Sequence, residues 1–248
     1  MFKCTKFSLE TPFGFIPFIL RRSSKRRTIQ IRINEEAQVL VAAPLRLEQN
    51  KIEGFIKQKA DWIIEKRGKF EEHHRRLQKR KFEHSHEFLF LGKPYRLLIE
   101  EDYVKRVHLK FDGDAWQVIV PTLSSIDERQ ALIKAKLIQW YRREAEEFLA
   151  SRVFHYARLM GVEPKTIAVR TQKRVWGNCH YHTKTIHFNW QIIFSPKEVI
   201  DYVVVHELAH LIVPNHSANF WKNVEKILPD FKQHKEWLKK NSFDMTLP

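Results

Sequence analysis

Two imidazoles and a carboxylate stand at the spacing His206-Glu207-Leu208-Ala209-His210, and a third imidazole, His216, follows six residues later. Residues four apart on a helix lie one above the other, about 5–6 Å between Cβ atoms, so His206 and His210 can bind the same ion. Glu207 is offset round the helix, too far to be a third ligand but within reach of a water at the ion, which is the place of a general base. The His216 spacing is one at which several zinc hydrolases take their third ligand. Those usually carry Gly where this chain has Val213. Here Pro214-Asn215 supplies the turn, because Pro stops a helix and Asn tolerates left-handed backbone. Glu225 competes for the third position, since some zinc enzymes take a glutamate from the next helix. It borders the apolar stripe Phe220, Trp221, Val224, Ile227 and Leu228, where a solvated acid is the better reading, so His216 is preferred. The expected cofactor is one zinc ion per chain on His206, His210 and His216, with another divalent metal as the alternative.

The element that positions these ligands is legible too. Val199 to Val205 is nearly all apolar, with Asp201 the polar exception, so the metal helix is expected to run through a core. Ser195, Pro196 and Glu198 read as its N-cap, first helical position and capping-box acid. Upstream, Thr28–Ile33 and Val39–Ala43 alternate as a hairpin, and Leu47 to Lys81 carries a helical stripe of Ile52, Phe55, Ile56, Ala60, Ile63 and Ile64. Phe88–Leu91, Tyr95–Ile99, Val104–Phe111 and Trp116–Val120 read as four strands separated by Gly and Pro turns. Ile126 to Met160 reads as a long amphipathic helix, followed by strands over Thr166–Gln172 and Thr185–Trp190. Composition changes most sharply at Pro121–Ser125. That divides a strand-rich part with one long helix, 1–121, from a catalytic part, 122–248, unless the two form one integrated domain. No internal repeat or low-complexity tract is evident.

A chain of 248 residues with 43% apolar content can bury a sizeable core. Two cysteines, Cys4 and Cys179, make no disulfide framework and favour a reducing, cytoplasmic compartment. Phe13 to Leu20 is apolar but short, broken by Pro17 and followed by arginines, which reads as an edge strand rather than a signal sequence. No segment reaches the ~20 apolar residues that span a bilayer, so no membrane partner is expected. His73, His74, His84 and His86 read as solvated surface histidines, and His180, His182 and His187 as turn or strand-face residues. The formal charge of +15 favours polyanionic partners. It gathers at Arg21 to Arg27, at Arg75 to Lys81, and at Arg170, Lys173 and Arg174 just ahead of Trp176.

Taken together, Val203 to His210, Asn215-His216-Ser217, Phe220-Trp221 and Pro229-Asp230-Phe231 resemble the signature of the YgjP-like metallopeptidase domain family. Arg170, Arg174, Trp176-Gly177-Asn178-Cys179 and Ile186 to Asn189 match a second segment of it, with Asn178 where that family usually has Ser. Arg21 to Thr28 and Trp237-Leu238 extend the resemblance over most of the chain. It implies an α+β, zincin-like fold in which the active-site helix lies beside a small sheet, extended by the strand-rich N-terminal part. It also implies Arg170, Arg174, Trp176, Asn178 and Asn189 as candidates for substrate contact.

Three functions stand as expectations. The first is a zinc-dependent metallopeptidase acting on peptides or proteins, with Glu207 as general base. The second is a metal-dependent nucleotide pyrophosphatase, because the resemblance extends to proteins assigned activity on nucleoside triphosphates such as UTP and the arginines near Trp176 suit a polyphosphate. The third is a nucleic-acid-binding module with a structural metal, favoured by the basic clusters and disfavoured by a three-ligand site that leaves a coordination position open. Peptide hydrolysis leads.

Overall fold

The structure is a computed structural model that describes residues 4–34, 36–79, 81–122, 125–172 and 175–247. The chain forms two compact units, Met1–Lys79 and Arg80–Pro248. The change of composition at Pro121–Ser125 therefore falls inside the second unit, where the strands before it and the helix after it bury their apolar faces in one core.

In the first unit, β1 (Cys4–Thr11), β2 (Gly14–Ser23), β3 (Gln30–Ile33) and β4 (Val39–Pro44) form a sheet of order β1-β2-β4-β3. The β3–β4 hairpin is antiparallel as its alternation predicts, and Val39, Val41 and Ala43 enter the core while Leu40 and Ala42 face outward. The Phe13–Leu20 stretch is not an edge strand. It lies in β2, flanked by β1 and β4, because the residues before it supply an outer strand that pattern alone did not mark. The long helix expected over Leu47 to Lys81 is two, α1 (Gln49–Gln58) and α2 (Ala60–Lys79), broken where Lys59 leaves helical geometry at φ −104° and ψ 12°. Ile52, Ile56, Ala60 and Ile63 are buried as the stripe requires, whereas Ile64 is exposed.

In the second unit β5 (Glu87–Phe90), β6 (Lys93–Asp102), β7 (His108–Phe111) and β8 (Ala115–Pro121) form a sheet of order β5-β6-β8-β7. This repeats the first sheet in order and in strand sense. The parallel pairs close on Ser23↔Pro44 and Asp102↔Pro121, and just beyond them Leu45 N–H donates to the Ser23 carbonyl at 3.1 Å and Thr122 N–H to the Asp102 carbonyl at 3.2 Å. A helix then starts at the same distance past each proline, α1 at Gln49 and α3 (Ile126–Met160) at Ile126. The repeat escapes sequence inspection because it conserves which positions are buried rather than which residues fill them.

After α3, β9 (Thr166–Arg170), β10 (Gly177–His180) and β11 (Thr185–Asn189) form a small sheet of order β10-β11-β9. A 3-10 helix (Trp190–Phe194) leads into α4 (Lys197–Ala209), α5 (Ala218–Ile227) and α6 (Phe231–Asn241). Strand β10 has no alternation of apolar residues and was not expected. Among the described residues no helix is long and apolar enough to cross a membrane.

Candidate metal centre

Helix α4 carries His206 and Glu207 and is buried almost all round, Val199 to Val205 included, as its continuous apolar run predicts. Its start is fixed by packing rather than by the expected capping box. Pro196 is the N-cap without a side-chain cap, and the Ser195 hydroxyl instead donates to the Ile192 carbonyl at 2.6 Å, closing the 3-10 helix. The β5–β6 turn locks against this junction. Leu91 N–H donates to the Ile193 carbonyl at 2.8 Å, and a Cβ on Gly92, whose φ is +79°, would meet the Pro196 ring at 2.8 Å. Farther along, buried Asp201 ties α4 to α3. Arg152 Nε lies 2.6 Å from Oδ1 and Nη2 2.8 Å from Oδ2, while the Tyr156 hydroxyl donates to Oδ2 at 3.1 Å. This bidentate pair with a further donor compensates a carboxylate that burial alone would penalise.

At its other end α4 stops at Ala209, and Val213 N–H bonds back to the Ala209 carbonyl at 2.9 Å. Pro214-Asn215 then turns the chain, with Ser217 N–H on Asn215 Oδ1 at 3.2 Å, so that His216 precedes α5 and faces back. The nitrogens of His206, His210 and His216 all lie within 4.8 Å of one another, and the His206 and His216 Nε2 atoms are 3.1 Å apart. Two ligands about 2.05 Å from a tetrahedral zinc stand roughly 3.3 Å apart, so this spacing suits the ion. Phe220, fully buried, sets its ring 4.5–4.9 Å from all three imidazoles. Trp221 lies 5.8 Å from His206 and 5.7 Å from His216, and stacks on Phe231 at 5.3 Å.

These surroundings favour the neutral form of His206 and His210. Burial, followed by His210, His216 and Lys235, pushes His206 down to about 3, and its buried Nδ1 has no hydrogen-bond partner among the described residues. His210 is lowered by burial and by His216, against the opposing Val213 and Pro214 carbonyls. Glu207 is only 5% exposed, and burial pushes it up to about 8. Its side chain lies on the bare backbone of Gly177 in β10, where a Cβ would come within 2.6 Å of Glu207 Cγ and 2.7 Å of Oε1. No side chain but hydrogen fits there. Burial, then the Glu207 charge, raises Cys179 to about 11 and Tyr202 to about 12.

The family model described as YgjP-like, metallopeptidase domain matches residues 27–241. The chain belongs to the YgjP-like metallopeptidase domain family. No curated protein matches it. Among solved structures it is similar to the zymogen of abylysin from Pyrococcus abyssi, with 24% identity, 37% of this chain and 93% of the other covered, and a TM-score of 0.35. It is also similar to the zymogen of jannalysin from Methanocaldococcus jannaschii, with 17% identity, 38% and 95% covered, and a TM-score of 0.35.

In this YgjP-like chain the three histidines come together, Glu207 lies buried on the helix that carries His206, and the candidates for substrate contact divide. Successive residues of β10 face opposite ways, so with Gly177 against Glu207, Asn178 lies on the far face. There Asn178 accepts from Gln172 Nε2 at 2.9 Å and meets His180 Nε2 at 3.1 Å. Arg170 lies in register with that face and is exposed, and His187 is lowered by burial, then by the Arg170 charge, then by His180. Asn189 is buried, its amide donating to the Gln172 carbonyl at 2.8 Å and its oxygen accepting from Gln191 N–H at 3.3 Å, a local cap. Trp176 is half-buried against the core, and its carbonyl accepts from Asn189 N–H at 2.8 Å. Lys173 and Arg174 lie outside the described residues.

Glu225 is exposed, 3.7 Å from Lys232, and stands apart from the imidazoles. His73 is buried rather than solvated, and His84 Nδ1 accepts from Ile99 N–H at 3.0 Å. The wall formed by Gly177 and the aromatic floor topped by Lys235, whose Nζ stands 4.2 Å from the Trp221 ring, had no signal in spacing, because they come from separate elements.

Proposed function

We propose that this chain is a zinc-dependent peptidase of zincin-like architecture, in which His206, His210 and His216 hold one zinc ion and Glu207 is the general base. The observation that carries the reading is the convergence of three imidazoles from the end of α4 and the turn after it, with a buried carboxylate next to the first of them in the helix. Three imidazole nitrogens with no fourth protein ligand among the described residues fit a catalytic rather than a structural zinc site. When bound, zinc supplies a Lewis acid that polarises the scissile carbonyl and makes water more acidic.

Glu207 accepts the proton of the attacking water on its carboxylate and delivers it to the departing amide nitrogen. A carboxyl whose proton affinity burial has raised toward neutrality suits both transfers. Gly177 sets where the carboxylate rests, and the Arg152–Asp201 pair holds the helix that carries it. Phe220 and Trp221 keep the surroundings apolar, which strengthens each charge-dependent contact.

The test is to load purified protein with zinc and measure metal content alongside turnover of unfolded polypeptide and of nucleoside triphosphate. One zinc per chain and peptide cleavage are expected, with both lost in the His206→Ala, His210→Ala and His216→Ala proteins. Full metal occupancy in His216→Ala would sink the ligand set. Turnover of triphosphate without peptide cleavage would overturn the substrate class.

A further inference from the structure

Residues 1–79 hold 18 Lys and Arg against 9 Asp and Glu, while residues 80–248 hold 26 against 20. The positive charge of the chain is therefore concentrated in the smaller unit. One face of its sheet is packed on its core, and alternate residues project from the other. One register row on that outer face reads Lys6, Ile19, Leu40, Arg32 across all four strands. Its centre is apolar and both rims are basic. Strands spaced about 4.8 Å apart put the two rims roughly 14 Å from each other.

The next row places Arg21 beside Ala42 and Gln30, and the Arg26 guanidinium donates to Gln30 Oε1 at 2.6 Å, which adds a cation to the same face. Along β2 the alternation continues through Pro17 to Phe15, a residue 68% exposed.

Topology does not demand this composition. The β5–β8 sheet repeats the arrangement, and at the matching positions it has Glu100 for Arg21, Gln117 for Leu40 and Arg96 for Pro17, the last paired at 3.7 Å with Glu87. The repeated face keeps Lys110 at the place of Arg32 but adds Glu100 and the Arg96–Glu87 pair; the first has an apolar centre between basic rims and, beyond it, Phe15 beside the acid Glu10.

We propose that the outer face of the β1–β4 sheet binds single-stranded nucleic acid, with phosphates on the Lys6 and Arg32 rims and bases on Ile19, Leu40 and Phe15. A duplex hides its base faces and would leave the apolar middle unmatched, whereas a single strand offers both phosphates and stacking surfaces.

The experiment is fluorescence anisotropy of the full chain with a labelled oligothymidylate at low salt, followed by a salt titration. Binding is expected that weakens linearly in log–log form, with the slope shallower by about 1.4 in the doubly substituted Lys6→Glu, Arg32→Glu protein, which loses two phosphate contacts. Affinity in that protein should fall roughly tenfold or more. Phe15→Ala should cost at least about fivefold on the oligonucleotide and leave heparin binding unchanged, because only bases stack. Circular dichroism checks folding, and Lys6→Gln with Arg32→Gln replaces the reversed pair if that pair unfolds. Absence of binding at low salt, equal affinity in the charge variants, or equal competition by polyglutamate or anionic vesicles would overturn the proposal.

Discussion

The β1–β4 and β5–β8 sheets share order, strand senses and the bond that closes their parallel pairs, yet only the second belongs to the unit with the three imidazoles. The two differ in the helix that succeeds each sheet. Helix α1 breaks at Lys59 after ten residues, whereas α3 runs unbroken for 35, about 52 Å at 1.5 Å per residue. Its first half covers the sheet through Ile133, Leu137 and Trp140. Its second half, through Leu149, Arg152, Val153 and Tyr156, provides the wall on which α4 rests. One topology thus serves two ends, and the length of the helix behind it decides which sheet is joined to α4.

That contrast can be attacked at several points. The largest effect is expected at Glu207→Gln, which keeps the shape but removes the proposed base. Peptide hydrolysis should fall by roughly 10² or more with zinc content retained, measured by turnover and elemental analysis on the same sample. An active Gln protein removes the chemical distinction between the two units.

Next come Ile56→Ala and Ile133→Ala, fully buried residues at matching positions of the two helices. Each should cost about 2–5 kcal/mol in denaturant unfolding. Ile56→Ala should leave zinc occupancy intact. If it strips the metal, the assignment of the site to the second unit alone is wrong.

The pH dependence of the metal-free protein sharpens the comparison further. Glu207 is raised from 4.5 to about 8 in the folded state, so its contribution is complete below 4.5 and is lost as pH climbs toward 8. His206 is depressed from 6.5 to about 3, so its contribution is complete above 6.5 and is lost as pH falls toward 3. Thermal unfolding in chelator should show stability declining between pH 6.5 and 8, and Glu207→Gln should flatten that limb. A decline of the same size in the Gln protein would place its source elsewhere.

The smallest effect concerns a charge exchange between the repeats. Arg22 on β2 donates to the Leu45 and Leu47 carbonyls and to Gln49 Oε1. The matching position on β6 is Glu101, which takes Arg129 of α3 at 2.6 Å. Both partners of that ion pair are partly solvated, so Arg129→Ala should cost under about 1 kcal/mol. Arg22→Ala, losing two backbone carbonyls and the Gln49 side chain as partners, should cost more, about 1–2 kcal/mol. The reverse ranking in denaturant unfolding would show that the repeats are closed differently.

The range of each interaction governs how much of the molecule was readable from the chain. Spacing along one helix decides which side chains share a face, so His206, Glu207 and His210 were legible, and a proline-asparagine turn makes a third ligand six residues on a local matter as well. Alternation and turn residues likewise marked most strands, and the apolar run of Val199 to Val205 marked a buried helix. Local pattern failed where a distant element sets the outcome. The break at Lys59, the inner place of β2 and the strand β10 depend on neighbours contributed by other segments. So does the fate of Asn178, Asn189 and Arg170, which pleating and capping turn away from Glu207. Gly177 is the sharpest case: its identity is a local fact, but its necessity comes from a carboxylate thirty positions onward that only the tertiary packing brings to within van der Waals reach. Sequence determined the candidate ligands because helical periodicity is short-ranged, and tertiary structure decided their walls because burial and steric exclusion are not.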